Sequence, residues 1–290
     1  MNRTPRVTMK RPSHARRAAS GLAALFSLLC LMQAGASRAQ SDLTPLQREI
    51  RRQSERLSSG DTEERRDAVM RLGAMGRPES SRAVAVALGD PAPIVRATAA
   101  RAVTGLGPAE AAGLILPLLR DRDEFVRREA AFALGLTRSP SGVAALIGLL
   151  QADKKPEVRG AAAVALGQIG EASAAGALAG ALSRRLRRPG ALNRVLRRNT
   201  DEDEFVRRSA AIALGQMGSR EGVQALVDAL SDPKAPDDVR RESARALGLI
   251  GDASAVPALR AALTARDPYL SRIAFEALSK IDPASATRPA

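Results

Sequence analysis

A chain of 290 residues with 45 Lys and Arg against 31 Asp and Glu carries a formal net charge of +14; 45% of it is hydrophobic and only 2% aromatic. It has one cysteine, one histidine and no tryptophan. That inventory excludes a disulfide-held scaffold, and it excludes metal centres assembled from several thiolates or imidazoles.

The first residues read as an address rather than as fold. Arg3, Arg6, Lys10, Arg11, Arg16 and Arg17 come without an acid, and the apolar run from Gly21 to Met32 and the small residues Ala34-Gly35-Ala36 and Ala39 follow. A basic head, a short apolar middle and small residues before a cut describe a secretory signal peptide over residues 1–39, cleaved after Ala39 or Ala36. The run is too short to span a bilayer core, which needs roughly 20 residues. The protein is therefore expected to be exported, periplasmic or secreted. Both Cys30 and His14 lie in this leader, so the mature chain would have no Ser-His-Asp or Cys-His device. Removing the leader, with its 7 basic residues, leaves 38 basic against 31 acidic, a net of +7. Residues 183–200 alone hold Arg184, Arg185, Arg187, Arg188, Arg194, Arg197 and Arg198 without an acid, and outside them the mature chain is neutral. A nucleic-acid reader would spread its charge over a face, so no nucleic-acid partner is expected.

Residues 40–60 are expected to form a capping helix opened by Thr44-Pro45, with Leu46, Ile50 and Leu57 covering the first repeat. From 61 to 282 the chain repeats. Aligned on one column, Arg65, Arg96, Arg127, Arg159, Arg207, Arg240 and Ser271 are spaced by 31, 31, 32, 48, 33 and 31 residues, a period that marks a repeat architecture. Around the column, apolar residues fall at offsets −1, +4 and +7, one side of a 3.6-residue helix, here helix A. Glycines at Gly73, Gly135, Gly167, Gly215 and Gly248, with second ones at Gly76, Gly107, Gly170, Gly218 and Gly251, are expected to close helix A in left-handed turns. Apolar residues at +19 and +23 define an antiparallel helix B, kinked at Pro117 in its second copy. Two helices cannot bury their own apolar faces, so the fold class is all-α, an α-solenoid of six stacked hairpins and a final lone helix A, Tyr269 to Ile281. Residues 283–290 read as a disordered tail.

Asp-Pro before helix A (Asp90-Pro91, Asp232-Pro233, Asp267-Pro268), the Val-Arg pair, the alanine columns and the Leu-Gly ending resemble the HEAT-like repeats of the phycobilisome lyase type. The resemblance implies a shared scaffold put to diverse uses. It also implies that Asp90, Asp121, Asp153 and Asp201, each six residues before its arginine, form with Arg96, Arg127, Arg159, Arg207 and Arg240 a structural ladder between consecutive turns. Some HEAT-like enzymes are iron hydroxylases that use His-Glu pairs; with no histidine in any repeat, that activity does not carry over.

The next column, Arg66, Arg128, Arg208, Arg241 and Arg272, is either a basic stripe for an acidic partner or a solvated face mixed with carboxylates. The 48-residue spacing places an insertion after Leu182. Its Leu192, Val195 and Leu196 share a helical face among Arg194, Arg197 and Arg198, a short basic amphipathic helix that could grip an acidic protein, a membrane surface or a polyanion. The alternative folds it back onto Asp201, Glu202, Asp203 and Glu204. Asn199, Asp201 and Asp203 imitate the start of a calcium loop but lack its glycine and its closing glutamate. No catalytic, cofactor or metal residue is expected, and no cofactor. The expected function is a non-catalytic, monomeric interaction scaffold that binds a protein partner on a concave helix-B face, through the arginines of 183–200, or both. The resemblance leaves a subunit of a chromophore-lyase-like enzyme as the rival.

Overall fold

The computed structural model describes residues 43–187 and 199–286. The leader, the centre of the insertion with Arg188, Arg194, Arg197 and Arg198, and residues 287–290 lie outside the described residues. The chain divides into two units, Met1–Arg52 and Gln53–Ala290. Helix α1, Pro45–Arg56, begins in the first. Its start is a reciprocal capping box: the Gln47 N–H donates to Thr44 Oγ1 (3.2 Å) and the Thr44 N–H to Gln47 Oε1 (2.9 Å), which satisfies two otherwise orphaned amides.

The second unit is a run of helical hairpins. The A helices are α2 (Thr62–Ala74), α4 (Pro93–Ala102), α6 (Glu124–Thr137), α8 (Pro156–Ile169), α10 (Glu204–Met217), α12 (Asp237–Ile250) and α14 (Pro268–Ile281). The B helices between them are α3 (Pro78–Val84), α5 (Pro108–Ile115), α7 (Val143–Ala152), α9 (Ala175–Ser183), α11 (Val223–Ser231) and α13 (Val256–Ala262). Asp61, Asp123, Asp203 and Asp267 cap the A helices by accepting amide hydrogens of the first turn, and Pro93 and Pro156 stand at helix starts where no amide donor is needed. The helix B expected to kink at Pro117 stops at Ile115, and Leu116–Arg120 continue as a 3-10 turn; the first repeat, with Val86 in the place of Pro117, changes in the same way after Val84.

The core is the set of columns read from the sequence. Leu72, Leu134, Leu166, Leu214, Leu247 and Leu278 on the A helices, and Val84, Ile115, Leu146, Leu178, Leu226 and Leu259 on the B helices, are all 0% exposed. Each large apolar side chain removed from water contributes about 1.5–3 kcal/mol to folding. Glu64 takes the valine position in the first repeat and is exposed.

The glycines divide into two kinds, which corrects the single role expected of them. Gly76, Gly170, Gly218 and Gly251 have positive φ and close their helices. Gly73, Gly135, Gly167, Gly215 and Gly248 are helical residues inside α2, α6, α8, α10 and α12. A Cβ added to them would come within 2.7–2.9 Å of an alanine on the next A helix: Ala102, Ala165, Ala213, Ala246 and Ala277. They are there for close approach of two backbones. Where Thr104 occupies that column, α4 ends at Ala102 and Val103–Gly105 turn 3-10. Gly107 has ordinary φ and is the N-cap of α5.

In the third repeat, Arg138 takes the position of the closing glycine with φ 52. A side chain costs about 1–2 kcal/mol there, part of which glycine would return as unfolded-state entropy. Arg138→Gly is expected to raise the stability by about 0.5–1 kcal/mol, measured by urea unfolding. At the far end, Pro283–Ser285 form a 3-10 turn where the sequence suggested disorder.

Candidate functional site

Four of the six column arginines are buried in the interior, and Arg127 and Arg240 are partly exposed. Arg65, Arg96, Arg159 and Arg207 are 5–8% exposed. Arg96 places Nε and Nη2 on the two carboxylate oxygens of Asp121, both at 2.8 Å, and Nη1 on the Asp90 carbonyl at 2.7 Å. Arg65 grips Asp90 the same way (2.6 and 2.9 Å), and Arg127 grips Asp153 (2.7 and 3.2 Å). Each of these aspartates also accepts the amide hydrogen two residues on, from Ala92, Asp123 or Lys155. One carboxylate thus shapes the turn into its own helix A and receives the guanidinium fork of the preceding repeat. The neighbouring arginine holds the pKa of all three below the ordinary carboxylate range. For Asp90 the Arg65 hydrogen bond leads; for Asp121 and Asp153 burial pushes up and is outweighed by Arg96 and Arg127.

The ladder changes at the insertion, and three residues read into it behave differently. Arg159 pairs with Glu202, whose side chain is fully buried, not with Asp201. Residues 185–187 and 199–201 form two short antiparallel strands, β1 (Arg185–Arg187) and β2 (Asn199–Asp201), and the Glu202 amide extends the pairing by donating to the Arg184 carbonyl. Successive residues of an extended segment face opposite ways, so Glu202 turns inward while Asp201 stays half-exposed. Arg207 donates Nε to the Leu182 carbonyl (3.0 Å) and stands 3.9 Å from Asp201. Arg240 donates to the Leu230 carbonyl, and its neighbour Arg241 takes Asp267 at 2.6 Å. Ser271, last in the column, likewise donates to the Leu263 carbonyl. Glu202 could not be found by register because the insertion shifts it; the Arg241–Asp267 pair repeats the 26-residue interval of Arg127–Asp153.

The second arginine column is mixed with acid. Arg66 meets Glu63, Arg128 meets Glu129, Arg208 meets Asp238 and Arg272 lies 3.8 Å from Glu276. Of the insertion arginines, Arg184 is engaged within the stack: it donates to the carbonyls of Leu150 and Gln151 at the end of α7 and lies 3.6 Å from Glu202. Arg185 and Arg187 sit on β1, whose backbone is described.

The open surface is on the B helices. Positions 17 and 21 after the column residue are Gly113 and Pro117, Ala144 and Gly148, Gly176 and Gly180 in repeats two to four, all exposed. A Cβ on Gly113, Gly148 or Gly180 would meet nothing within 4 Å. Between α5 and α7 lies a cleft of about 870 Å³ lined by Gly113, Leu116, Pro117, Ala144 and Gly148. A second, of about 220 Å³, separates α7 from α9 beside Gly176 and Gly180. In repeats one and five the same positions carry Arg82 and Val86, Gln224 and Asp228. Among the described residues no three His, Cys, Asp or Glu side chains could hold a metal ion together, and no helix is long and apolar enough to cross a membrane.

The family model for HEAT repeats matches residues 53–125, 111–185, 172–237 and 233–289. No curated protein matches the chain in sequence. Among solved structures, the chain is similar to YibA of E. coli, with 22% identity over 84% of this chain and 90% of that one and a TM-score of 0.56. It is similar to an engineered protein with 24% identity over 80% of this chain and 68% of that one, at a TM-score of 0.51. The CpcE–CpcF complex of phycocyanin lyase from Nostoc sp. PCC7120 has 25% identity over 83% of this chain and 89% of that one, at a TM-score of 0.47.

Proposed function

Because the chain belongs to the HEAT-repeat family, whose repeats run through residues 53–289, we propose that it is a non-catalytic, exported scaffold that binds a protein partner across the B helices of repeats two to four. The observation that carries this reading is the pair of glycine classes. Glycine inside a helix costs about 1 kcal/mol relative to alanine. On the A helices packing demands it; at Gly113, Gly148 and Gly180 the space beside the backbone is empty. A smooth, preformed strip lets another chain come close to the helix backbone, and a rigid stack needs little ordering on association. The arginines carried by the insertion, Arg185, Arg187, Arg188, Arg194, Arg197 and Arg198, add a basic element for an acidic region of that partner. The absence of histidine and cysteine from residues 40–290 supports binding over turnover.

The test fills the strip without touching the core. Gly148→Ala and Gly148→Arg are each expected to raise stability, by about 0.5–1 kcal/mol, and Gly148→Arg to abolish capture of the partner from an envelope extract. Identical proteins captured by wild type and Gly148→Arg would sink the B-helix site. Identical capture after changing the insertion arginines to serine would remove the insertion from it.

A further inference from the structure

Arg207 differs from the other column arginines in having two places to go. At the intact rungs the interval from arginine to carboxylate is 25 residues for Arg65–Asp90 and Arg96–Asp121, and 26 for Arg127–Asp153. Twenty-five residues after Arg207 stands Asp232, which opens the Asp-Pro turn of the following repeat. Like its counterparts, Asp232 shapes that turn, its Oδ1 accepting the Lys234 amide hydrogen at 2.9 Å. Unlike them it receives no guanidinium, and Oδ2 has no hydrogen-bond partner among the described residues. Arg207, with its side chain 7% exposed, donates only Nε, to the Leu182 carbonyl. Its Nη1 is 3.9 Å from Asp201, beyond hydrogen-bond reach, and Nη2 has no partner among the described residues. Arg207 and Asp232 line one cleft of about 180 Å³, together with Arg184, Asp201 and Asp228.

We infer that Arg207 is a two-position latch. In the position seen here it reaches back, to the end of α9 and to Asp201 on β2. In the other it reaches forward and closes a standard rung on Asp232. Arg240 and Ser271, which also reach back to a helix-B carbonyl, have no free carboxylate at the rung interval: positions 265 and 266 are alanine and arginine, and Asp267 already holds Arg241. Arg159 has its rung on Glu202. The column therefore offers both options at Arg207 alone among the described residues. On Asp232 the guanidinium fork would make charge-assisted hydrogen bonds in place of a bond to a neutral carbonyl, and Asp232 lines the same cleft. The position of β2 decides between the two states, because Asp201, on β2, is the carboxylate that Arg207 approaches on the backward side among the described residues. Displacing β2 sends Arg207 forward and ties the fifth repeat to the sixth, so an event at the root of the insertion is passed to the packing of the stack.

The latch is tested by unfolding the full chain in urea with Asp232→Asn in two backgrounds. Asparagine keeps the turn-forming oxygen and removes only the charge. In the wild-type background Asp232→Asn is expected to leave the midpoint unchanged, because the rung is open. In the Asp201→Asn background, where the backward carboxylate is gone, it is expected to lower the midpoint by at least half of the shift that Asp121→Asn gives at an intact rung. Amide exchange at Lys234 and Ala235 is expected to slow about tenfold in Asp201→Asn and to return to the wild-type rate in the double variant. An Asp232→Asn effect that is the same in both backgrounds, whether zero or large, overturns the latch. Both aspartates are partly exposed, so these variants fold.

Discussion

Asp121→Ala is expected to destabilise the stack by about 3–5 kcal/mol, the usual consequence of stranding one member of a buried ion pair. The Arg96 and Asp121 side chains are each 9% exposed. Without Asp121, Arg96 keeps only the carbonyls of Asp90 and Pro91, and the Asp123 amide loses its acceptor. The comparison is Glu110→Ala: its partner Arg82 is 59% exposed along its side chain, and loss of a solvated pair costs less than about 1 kcal/mol. Urea unfolding of the two variants separates a ladder that holds the repeats together from one that decorates them. The pH profile carries the same information. Asp90, Asp121, Asp153 and Asp267 are all held below the ordinary carboxylate range. A carboxylate whose folded-state value is depressed stabilises fully above its unfolded value, near pH 4, and loses that contribution as pH falls through the folded value. Wild-type stability is therefore expected to fall steeply below about pH 4, and Asp121→Ala to fall less steeply over the same window.

Gly215→Ala is expected to cost about 2 kcal/mol despite placing a better helix former in α10. The new methyl would sit 2.8 Å from Ala246 Cα and 2.9 Å from its Cβ. Backbone cannot step aside as a flexible side chain can, so overpacking of about 1–3 kcal/mol outweighs the propensity gain of at most about 1 kcal/mol. The same substitution at Gly148 has the opposite expected sign. Chemical unfolding of the two single variants checks both, and stabilisation by Gly215→Ala as well would mean that the contact between A helices is slack.

The repeat was legible because it rests on local periodicity. Valine before the arginine, alanine four after it and leucine seven after it lie on one helical face whatever the neighbours do. What was not legible depended on the neighbours. Gly215 and Gly218 look alike in sequence, both near the end of an apolar run. One faces Ala246 across an interface and the other closes a turn with φ 62, and only the position of the next helix distinguishes them. The ladder was readable as pairs of residue types, but its partners run from one repeat to the following one. Where residues 183–200 intervene, Glu202 replaces Asp201 for a reason set by strand alternation rather than by counting. Arg184 carries the same charge as its neighbours in sequence, and nothing local reveals that the end of α7 lies within its reach.

The contact of glycine on alanine has a consequence for how such a chain can grow. Every helix A from the third repeat to the sixth carries both halves of the joint, a glycine for the helix that follows and, two residues earlier, an alanine for the one that precedes: Ala133 and Gly135, Ala165 and Gly167, Ala213 and Gly215, Ala246 and Gly248. Such units are interchangeable, and a duplicated copy would fit against its parent without further change. The second repeat, with Ala102 but Thr104, can make this joint only with the repeat before it, and the first, with Gly73 but Arg71, only with the repeat after it, so an added copy ahead of the first would find no alanine half to receive it.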